Sequence, residues 1–368
     1  MQREIGSDFW LDPEIVQPEG TVPLAELALE GADSVFLSSG RSALSLVLDT
    51  ISTRIPKHSK VALLPPFTCH TVIEPFLAAE YDVHCFPVDE KLCLDGQTLI
   101  ASAEATGASV VLVHRYFGFE TLHEGAAAVH MLRAKGIIVI EDRTQSLYSD
   151  FPYLPADYLI GSLRKWAALP DGGFALCREG CFAGKPTEPD MELERAKLEA
   201  FYAKHRYLYN QIGKKEAFLA QYRQAEDILA NQDRYFKISP TSVQVQSSIN
   251  ISELRTLRRE NYEVLLQELA ECNLVRPLFD SLPMGAVPLY MPVMVVGDRT
   301  SLQAYLARAD IYAPVVWPRA SCLPVICSAA DRLYRQLLCL PIDQRYGVDD
   351  MLRMAAQIRS WERDDIDT

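Results

Sequence analysis

The chain has 368 residues, 49% of them hydrophobic, which is enough to build a large domain and a smaller companion around a substantial core. Its formal net charge of -13 argues against nucleic acid or an anionic membrane as the main partner, because phosphate groups attract clustered lysine and arginine. No apolar run has the length or flanks of a signal peptide or a membrane span, so we expect a cytoplasmic protein.

The cysteine and histidine patterns indicate neither a disulfide framework nor a metal site. Nine cysteines are scattered without a CxxC pair, and seven histidines occur without HxxxH or HxH spacing. We therefore interpret the cysteines as small core residues and predict no bound metal ion.

From about residue 34, short apolar runs of β-type residues alternate with segments of helical period. Six runs predict buried strands, at 61–66, 83–88, 109–116, 136–142, 157–163 and 172–177. Helices are predicted between several of them, for example in GRSALSLVLDTIS, whose apolar residues share one face, and in EGAAAVHMLRAKG, which ends at Gly136. This alternation predicts a mainly parallel α/β sheet with helices on both faces, spanning roughly residues 20 to 180.

A charged, glycine-poor segment at 191–232 follows, and its period predicts one long helix or a helical pair. Its aromatic residues recur at near-helical spacing and favour a stripe that packs on the sheet or on a second subunit: Phe201, Tyr202, Tyr209, Phe218 and Tyr222. After residue 245, helical and strand-like segments alternate and predict a smaller α+β domain. We therefore divide the chain into an N-terminal arm with a large α/β domain at 1–245, including the charged segment 190–232, and a small domain at 246–368.

Three segments carry candidate chemistry. In SSGRSAL (38–44), Ser and Gly residues open a helix whose free NH groups could hold an anion, whereas the chain lacks the GxGxxG and GxxxxGK[ST] patterns of common nucleotide sites. Asp142 ends a predicted strand, and Lys165 follows the next one. Taken singly, each has an ordinary reading as a helix cap, a turn residue or a solvated charge. In an open parallel sheet, however, all three would meet at the edge where ligands bind.

An anion cradle, a carboxylate and a lysine together match the needs of pyridoxal phosphate (PLP). The phosphate of this cofactor binds helix-terminal NH groups, its pyridine nitrogen needs an acid to stay protonated, and its aldehyde forms a Schiff base with a lysine. The order of the three segments along the chain is also consistent with such a site.

At these segments the chain resembles the DegT/DnrJ/EryC1/StrS family, the fold-type I PLP enzymes best known as sugar aminotransferases. The resemblance runs over most of the chain, and IVIEDRTQSL and SLRKWAALPDGGFAL are its most specific segments. It implies a fold-type I PLP-transferase, with a large domain built on a mainly parallel, seven-stranded sheet between helices and a smaller α+β C-terminal domain. It also implies a homodimer with the active site near the subunit boundary.

The resemblance also implies roles for individual residues. Lys165 would be the Schiff-base lysine that moves the proton, Asp142 would pair with the pyridine nitrogen, and Gln145 would bond the phenolic oxygen. The phosphate loop would comprise Gly40, Arg41 and Ser42, with Ser162 at a phosphate-binding position. His70 is our candidate for the residue that stacks on the ring, since Cys69 stands where the family usually has an aromatic. Arg319, in VVWPRAS, is our candidate for binding the carboxylate of the amino donor.

The implied function is a PLP-dependent aminotransferase. It would take an amino group from an amino acid, expected to be L-glutamate, and transfer it to a keto group, expected on a nucleotide-linked sugar. The segment SPTS (239–242) departs from the family pattern, and only two residues separate Ser162 from Lys165, fewer than usual. Two alternatives therefore stay open: a PLP enzyme acting on a non-sugar or amino-acid-like substrate, and a non-catalytic PLP-fold protein used for binding or regulation.

Overall fold

The structure is a computed structural model that describes residues 4–12 and 31–366, with side chains described as far as residue 361. The first part of the predicted α/β region, 20–30, and most of the predicted N-terminal arm lie outside the described residues. No helix within the described ranges is both long enough and apolar enough to cross a membrane.

Strands are short, as the sequence predicts. In chain order they are β1 (Ile5–Gly6), β2 (Asp33–Leu37), β3 (Val61–Leu64), β4 (Asp82–Cys85), β5 (Leu94–Asp95), β6 (Val110–His114), β7 (Leu122–His123), β8 (Ile138–Asp142), β9 (Tyr158–Ser162), β10 (Gly173–Cys177), β11 (Val275–Pro277), β12 (Met291–Val295), β13 (Ile311–Tyr312) and β14 (Leu337–Leu340).

Helices connect most of these strands. In chain order they are α1 (Gly40–Ser52), α2 (His70–Ala78), α3 (Gly96–Thr106), α4 (Gly125–Ala134), α5 (Met191–His205), α6 (Lys215–Ala230), α7 (Pro240–Ser248), α8 (Ile251–Glu268), α9 (Arg299–Arg308), α10 (Ser328–Gln336) and α11 (Val348–Ile366). Short 3-10 turns lie at Lys57–Ser59, Tyr116–Gly118 and Leu163–Lys165, and a π turn, Arg206–Asn210, follows α5.

A seven-stranded sheet lies at the centre, with the strand order β2-β10-β9-β8-β6-β3-β4. β10 runs antiparallel to both of its neighbours, whereas the other adjacent pairs are parallel. The predicted mainly parallel sheet is therefore confirmed, and all six predicted strands form part of it. The sequence analysis missed the edge strand β2, because only one of its five residues is buried and its apolar run is short.

Helix α1 shows why the central elements form where they do. The side chain of Ser39 caps the helix by accepting a hydrogen bond from the Ser42 NH at 3.1 Å. The apolar face predicted from the sequence is buried, and it packs on β9 and β10. Burying each large aliphatic side chain contributes about 1.5–3 kcal/mol, which outweighs the modest helix propensity of a short segment.

The charged segment forms the helical pair that was one of the two predicted alternatives. α5 ends in its π turn, and α6 returns alongside it. Phe201, Phe218 and Tyr222 are buried, and the Tyr222 ring centroid lies 5.8 Å from that of Phe201 and 6.3 Å from that of Phe218, whereas Tyr209 is exposed. The predicted aromatic stripe is thus divided between the interior of the pair and its surface.

The C-terminal part is a second α+β unit. It contains the antiparallel sheet β11-β12-β14, and α11 packs on α8 and α9. The boundary predicted at residue 245 lies within α7, so the division at 245 stays a prediction. The N-terminal segment joins this unit, because β1 pairs with β13, and Glu4 forms a 2.8 Å ion pair with the buried ammonium group of Lys204 on α5.

Candidate active site

The start of α1 forms an anion cradle at the carboxyl edge of the central sheet. The Ser42 hydroxyl contacts that of Ser39 at 3.0 Å, and the Ser39 side chain caps the Ser42 NH. The NH groups of Gly40 and Arg41 lie in the first turn, where a helix offers no internal acceptor, and they have no hydrogen-bond partner in the described parts of the chain. These two donors and the helix dipole favour an anion here.

Two glycines allow this cradle to lie directly against the neighbouring strands. A Cβ atom on Gly173 would stand 2.2 Å from the Ser39 carbonyl carbon, and one on Gly40 would stand 3.2 Å from the Ser162 Cβ atom. The Gly172 NH also donates to the Ser38 carbonyl at 2.7 Å. The predicted phosphate loop and Ser162 are therefore in direct contact.

Asp142 ends β8 and pairs in register with Ile160 of β9. Its buried carboxylate accepts a hydrogen bond from the Thr144 NH at 2.8 Å, an Asx turn, and no Lys or Arg within 4–12 and 31–361 forms an ion pair with it. Burial raises the pKa of the Asp142 carboxyl, and the hydrogen bonds from Thr144 lower it only in part. A cationic ligand group would offset the cost of keeping this carboxylate ionised.

Thr144 links the segments of the site through hydrogen bonds, although the sequence patterns did not single it out. Its hydroxyl accepts from the Ser162 NH at 3.0 Å, and its carbonyl accepts from the Trp166 indole NH at 2.8 Å. The Asp-x-Thr spacing is typical of an Asx turn and could have indicated the local turn, but not the contacts with Ser162 and Trp166.

Gln145 carries an unused hydrogen-bond donor. Its side-chain oxygen accepts from the Phe117 NH at 3.0 Å, which orients the amide. Its Nε2 atom is buried and has no partner among the residues that the structure describes. Because an unsatisfied buried donor costs about 1–3 kcal/mol, this position is suited to a ligand oxygen.

Lys165 ends the 3-10 turn after β9, and its side chain is exposed. It lines a cavity of about 700 Å³ together with Arg164, Lys197 and Glu226, whereas Asp142 and the phosphate loop do not line that cavity. The backbones of the three predicted segments, at the start of α1, at Asp142 and at Lys165, therefore lie at one edge of the sheet. The Lys165 side chain lines the cavity, whereas the indole NH of the next residue, Trp166, donates to the Thr144 carbonyl.

The side chains of Arg41 and His70 lie outside the anion cradle. The Arg41 guanidinium bonds Glu74 at 3.2 Å and the Leu229 carbonyl at 2.9 Å, so this side chain is directed away from the cradle and only the backbone NH of Arg41 serves it. His70 is exposed and lies 3.8 Å from Glu74, at the start of α2. The stacking role predicted for His70 stays a prediction.

Arg319 is not brought to Lys165. Its side chain forms a 2.8 Å ion pair with Asp331, and it does not line the cavity that contains Lys165. The Arg319 side chain therefore lies against α10, and its role in binding the donor carboxylate stays a prediction.

Comparisons with known proteins identify the fold of this chain. Neither a protein-family model nor a curated protein sequence matches the chain. Solved structures do match it: PseC of Helicobacter pylori, an aminotransferase involved in the biosynthesis of pseudoaminic acid, has a TM-score of 0.69 at 13% identity over 97% of this chain and 99% of its own. The chain has the fold of DegT/DnrJ/EryC1/StrS-type sugar aminotransferases.

Two further structures agree on this fold. The sugar aminotransferase CalS13 from Micromonospora echinospora has a TM-score of 0.65 at 17% identity, covering 97% of this chain and 98% of that one. A DegT DnrJ EryC1 StrS aminotransferase from Brucella abortus has a TM-score of 0.62 at 16% identity, covering 96% and 91%. The fold-type I prediction is therefore confirmed.

The residues at the sheet edge fit the cofactor that this fold implies. The free NH groups at the start of α1 suit a phosphate, the buried Asp142 carboxylate suits a protonated pyridine nitrogen, and the unpartnered Gln145 amide suits a ring oxygen. The close approach of Gly173 keeps side chains out of the cradle. These features would hold pyridoxal phosphate between α1 and β8.

Proposed function

We propose that this chain is a PLP-dependent aminotransferase that moves an amino group from an amino acid to a keto group of a sugar. The observation that carries the proposal is the contact of three separate segments at one sheet edge. The α1 cradle touches Ser162, Ser162 bonds the turn that follows Asp142, and Lys165 follows Ser162 in the next turn. The shared fold of sugar aminotransferases supports this reaction class.

Each residue has a separate role in this proposal. PLP, when bound, supplies an electron sink that stabilises negative charge at the α-carbon of the substrate. The start of α1 would bind its phosphate, with Ser162 beside it, and Asp142 would keep its pyridine nitrogen protonated. Gln145 Nε2 would donate a hydrogen bond to the ring oxygen. Lys165 Nζ would take the proton from the α-carbon of the donor and deliver it to C4′ of the cofactor in the same half-reaction, and this transfer would run in the opposite direction with the keto substrate.

We further propose L-glutamate as the donor, a nucleotide-linked sugar as the acceptor and a homodimer in the cytoplasm as the working form. These finer points rest on the family resemblance. The cavity beside Lys165 is compatible with a small-molecule substrate, because about 700 Å³ is within the range of ligand pockets in proteins.

Visible absorbance of the purified protein with added PLP tests the proposal. We expect the band of a lysine-bound cofactor in the native chain, its loss in Lys165→Ala, and its retention in Lys185→Ala, which changes an exposed lysine outside the cavity. Borohydride reduction followed by peptide mass mapping should place the cofactor on Lys165.

Substrate addition then tests the reaction. Glutamate should remove the band, and a keto-sugar should restore it. No band in the native chain, or a band that persists unchanged in Lys165→Ala without added amine, would overturn the proposal.

A further inference from the structure

Glu226, on α6, places a carboxylate in the cavity beside Lys165. Its Oε1 atom accepts from Arg164 Nη2 at 2.8 Å, and the same atom is hydrogen-bonded by Lys197 Nζ. Arg164 precedes Lys165 in the turn after β9, while Lys197 belongs to α5. Two cations from different elements therefore converge on one carboxylate oxygen next to the predicted reactive lysine.

These two cations and Glu226 form a partly buried cluster of charges rather than an ion pair on the open surface. The Lys197 side chain is only 6% exposed, so its ammonium group needs an anionic partner to offset the cost of burial. Burial would raise the pKa of Glu226, but the nearby charges of Arg164, Lys197 and Lys165 outweigh it and lower that pKa to about 2. Glu226 is therefore ionised at neutral pH, and its position defines where a carboxylate binds.

The charge of the cavity lining also favours an anionic ligand. The lining contains five cations (Arg164, Lys165, Lys197, Arg258 and Arg345) and three carboxylates (Asp8, Glu226 and Asp343), in a chain of net charge -13. If Glu226 moved out, the excess of positive charge would increase. A local positive cavity in an acidic protein attracts small anions by electrostatic focusing.

Glu226 can leave this position more easily than its two partners. Its side chain is 50% exposed, whereas Arg164 is 19% exposed and Lys197 is buried. An incoming carboxylate could thus take over both hydrogen bonds without a change in the backbone.

We propose that Arg164 and Lys197 form the subsite for the carboxylate of the amino-acid donor, and that Glu226 occupies this subsite until the donor displaces it. The inference rests on the proposed aminotransferase function, and it assigns donor binding to residues other than Arg319. Arg164 directly precedes Lys165 in the same turn, and both line the cavity together with Lys197.

Calorimetric binding of glutarate, an unreactive dicarboxylate of the chain length of glutamate, tests the subsite. We expect Glu226→Gln to bind glutarate about tenfold more tightly than the native chain, or about 1.4 kcal/mol, because the competing carboxylate is gone. Lys197→Met and Arg164→Gln should each weaken binding at least about tenfold. Glu216→Gln, which changes an exposed residue of the same helix outside the cavity, should bind as the native chain does.

Unchanged or weaker glutarate binding in Glu226→Gln would overturn the inference. Thermal unfolding shows whether each variant is folded, and if Lys197→Met is not, Arg164→Gln and Glu226→Gln still decide the question. The PLP absorbance band is recorded on the same proteins. A PLP band together with glutarate binding that does not depend on Glu226 would overturn the subsite alone. The expected glutarate pattern without any PLP band would show a carboxylate site at Arg164 and Lys197, but it would overturn the aminotransferase proposal and with it the donor-binding role.

Discussion

At the scale of single residues, Asp171 shows how the loop after Lys165 is fixed. Its fully buried carboxylate accepts from the Ser239 NH at 3.0 Å and from the Ser239 hydroxyl at 2.8 Å. The Ser242 hydroxyl donates to the Asp171 carbonyl at 3.0 Å. The SPTS segment, which departs from the family pattern, thus has a structural role, because its serines hold the loop between Lys165 and the glycine pair.

Asp171 should make stability depend on pH. Burial raises its pKa to about 6, although the bonds from Ser242 and Ser239 act in the opposite direction. Because the folded pKa lies above the unfolded one, the stability from this group is fully present below about pH 4 and is lost as the pH rises through about 6. Asp171→Asn cannot ionise, so its free energy of unfolding relative to the native chain should rise by up to about 3 kcal/mol from pH 4 to 7.

Urea unfolding at pH 4, 5.5 and 7 measures this difference. Replacing one carboxylate oxygen with an amide group also changes the free energy of unfolding, but by the same amount at every pH, so it does not affect the pH dependence of the difference. Glu216→Gln, an exposed site, should give a flat difference. If Asp171→Asn is equally flat, Asp171 has an ordinary pKa in the folded protein.

At the scale of elements, the site depends on how closely β10 approaches the start of α1. Gly173, the first residue of β10, lies where a Cβ atom would stand 2.6 Å from the Gly40 nitrogen and still closer to the Ser39 carbonyl carbon. Both neighbours are backbone atoms, which cannot rotate away as a side chain can. The glycine pair therefore sets the distance between the strand and the anion cradle.

Gly173→Ala should lower the thermal unfolding midpoint and weaken the binding of PLP. Overpacking of this kind costs about 1–3 kcal/mol, and the added methyl group would push the Gly40 NH out of place. Gly347→Ala is the matched control, since a Cβ atom there meets nothing within 4 Å and its φ is not positive. Equal midpoints and equal PLP affinities in the two variants would contradict the assigned role of Gly173.

At the scale of the whole molecule, the C-terminal unit holds the loop that precedes α2. The Tyr334 hydroxyl, on α10, accepts from the Thr68 NH at 2.9 Å and donates to the Thr68 carbonyl at 3.1 Å. The centroid of the Tyr334 ring lies 4.6 Å from that of the Phe67 ring. Because Cys69 and His70 follow directly, contacts between distant parts of the chain position the segment that contains His70, the predicted ring-stacking residue.

Tyr334→Phe should destabilise the protein by about 1–3 kcal/mol, because it leaves the buried NH group of Thr68 without a partner. Hydrogen exchange gives a local readout, and the Thr68 amide should exchange faster in this variant. Tyr305→Phe removes a hydroxyl from α9 that has no hydrogen-bond partner in the described residues, and it should leave Thr68 unaffected. Unchanged protection of Thr68 in Tyr334→Phe would show that the loop is held in another way.

The sequence by itself determined six of the seven strands of the central sheet, the bounds of α1 and the edge at which the candidate segments meet. These features follow from local rules, namely alternating apolar runs, a cap before an apolar helix face, and the shared direction of parallel strands. The SSGRSAL segment, Asp142 and Lys165 could be placed at one edge because each is adjacent in sequence to an element with a recognisable pattern.

Only the tertiary structure decided which side chains share the cavity with Lys165. Lys197 and Glu226 lie on α5 and α6, for which the sequence predicted only one long charged helix or a helical pair. The Arg319 side chain forms an ion pair with Asp331. Such contacts join residues far apart in the chain, and they depend on how the helices pack rather than on any local period. A charged residue on a helix surface carries no signal in the sequence that says what it will face.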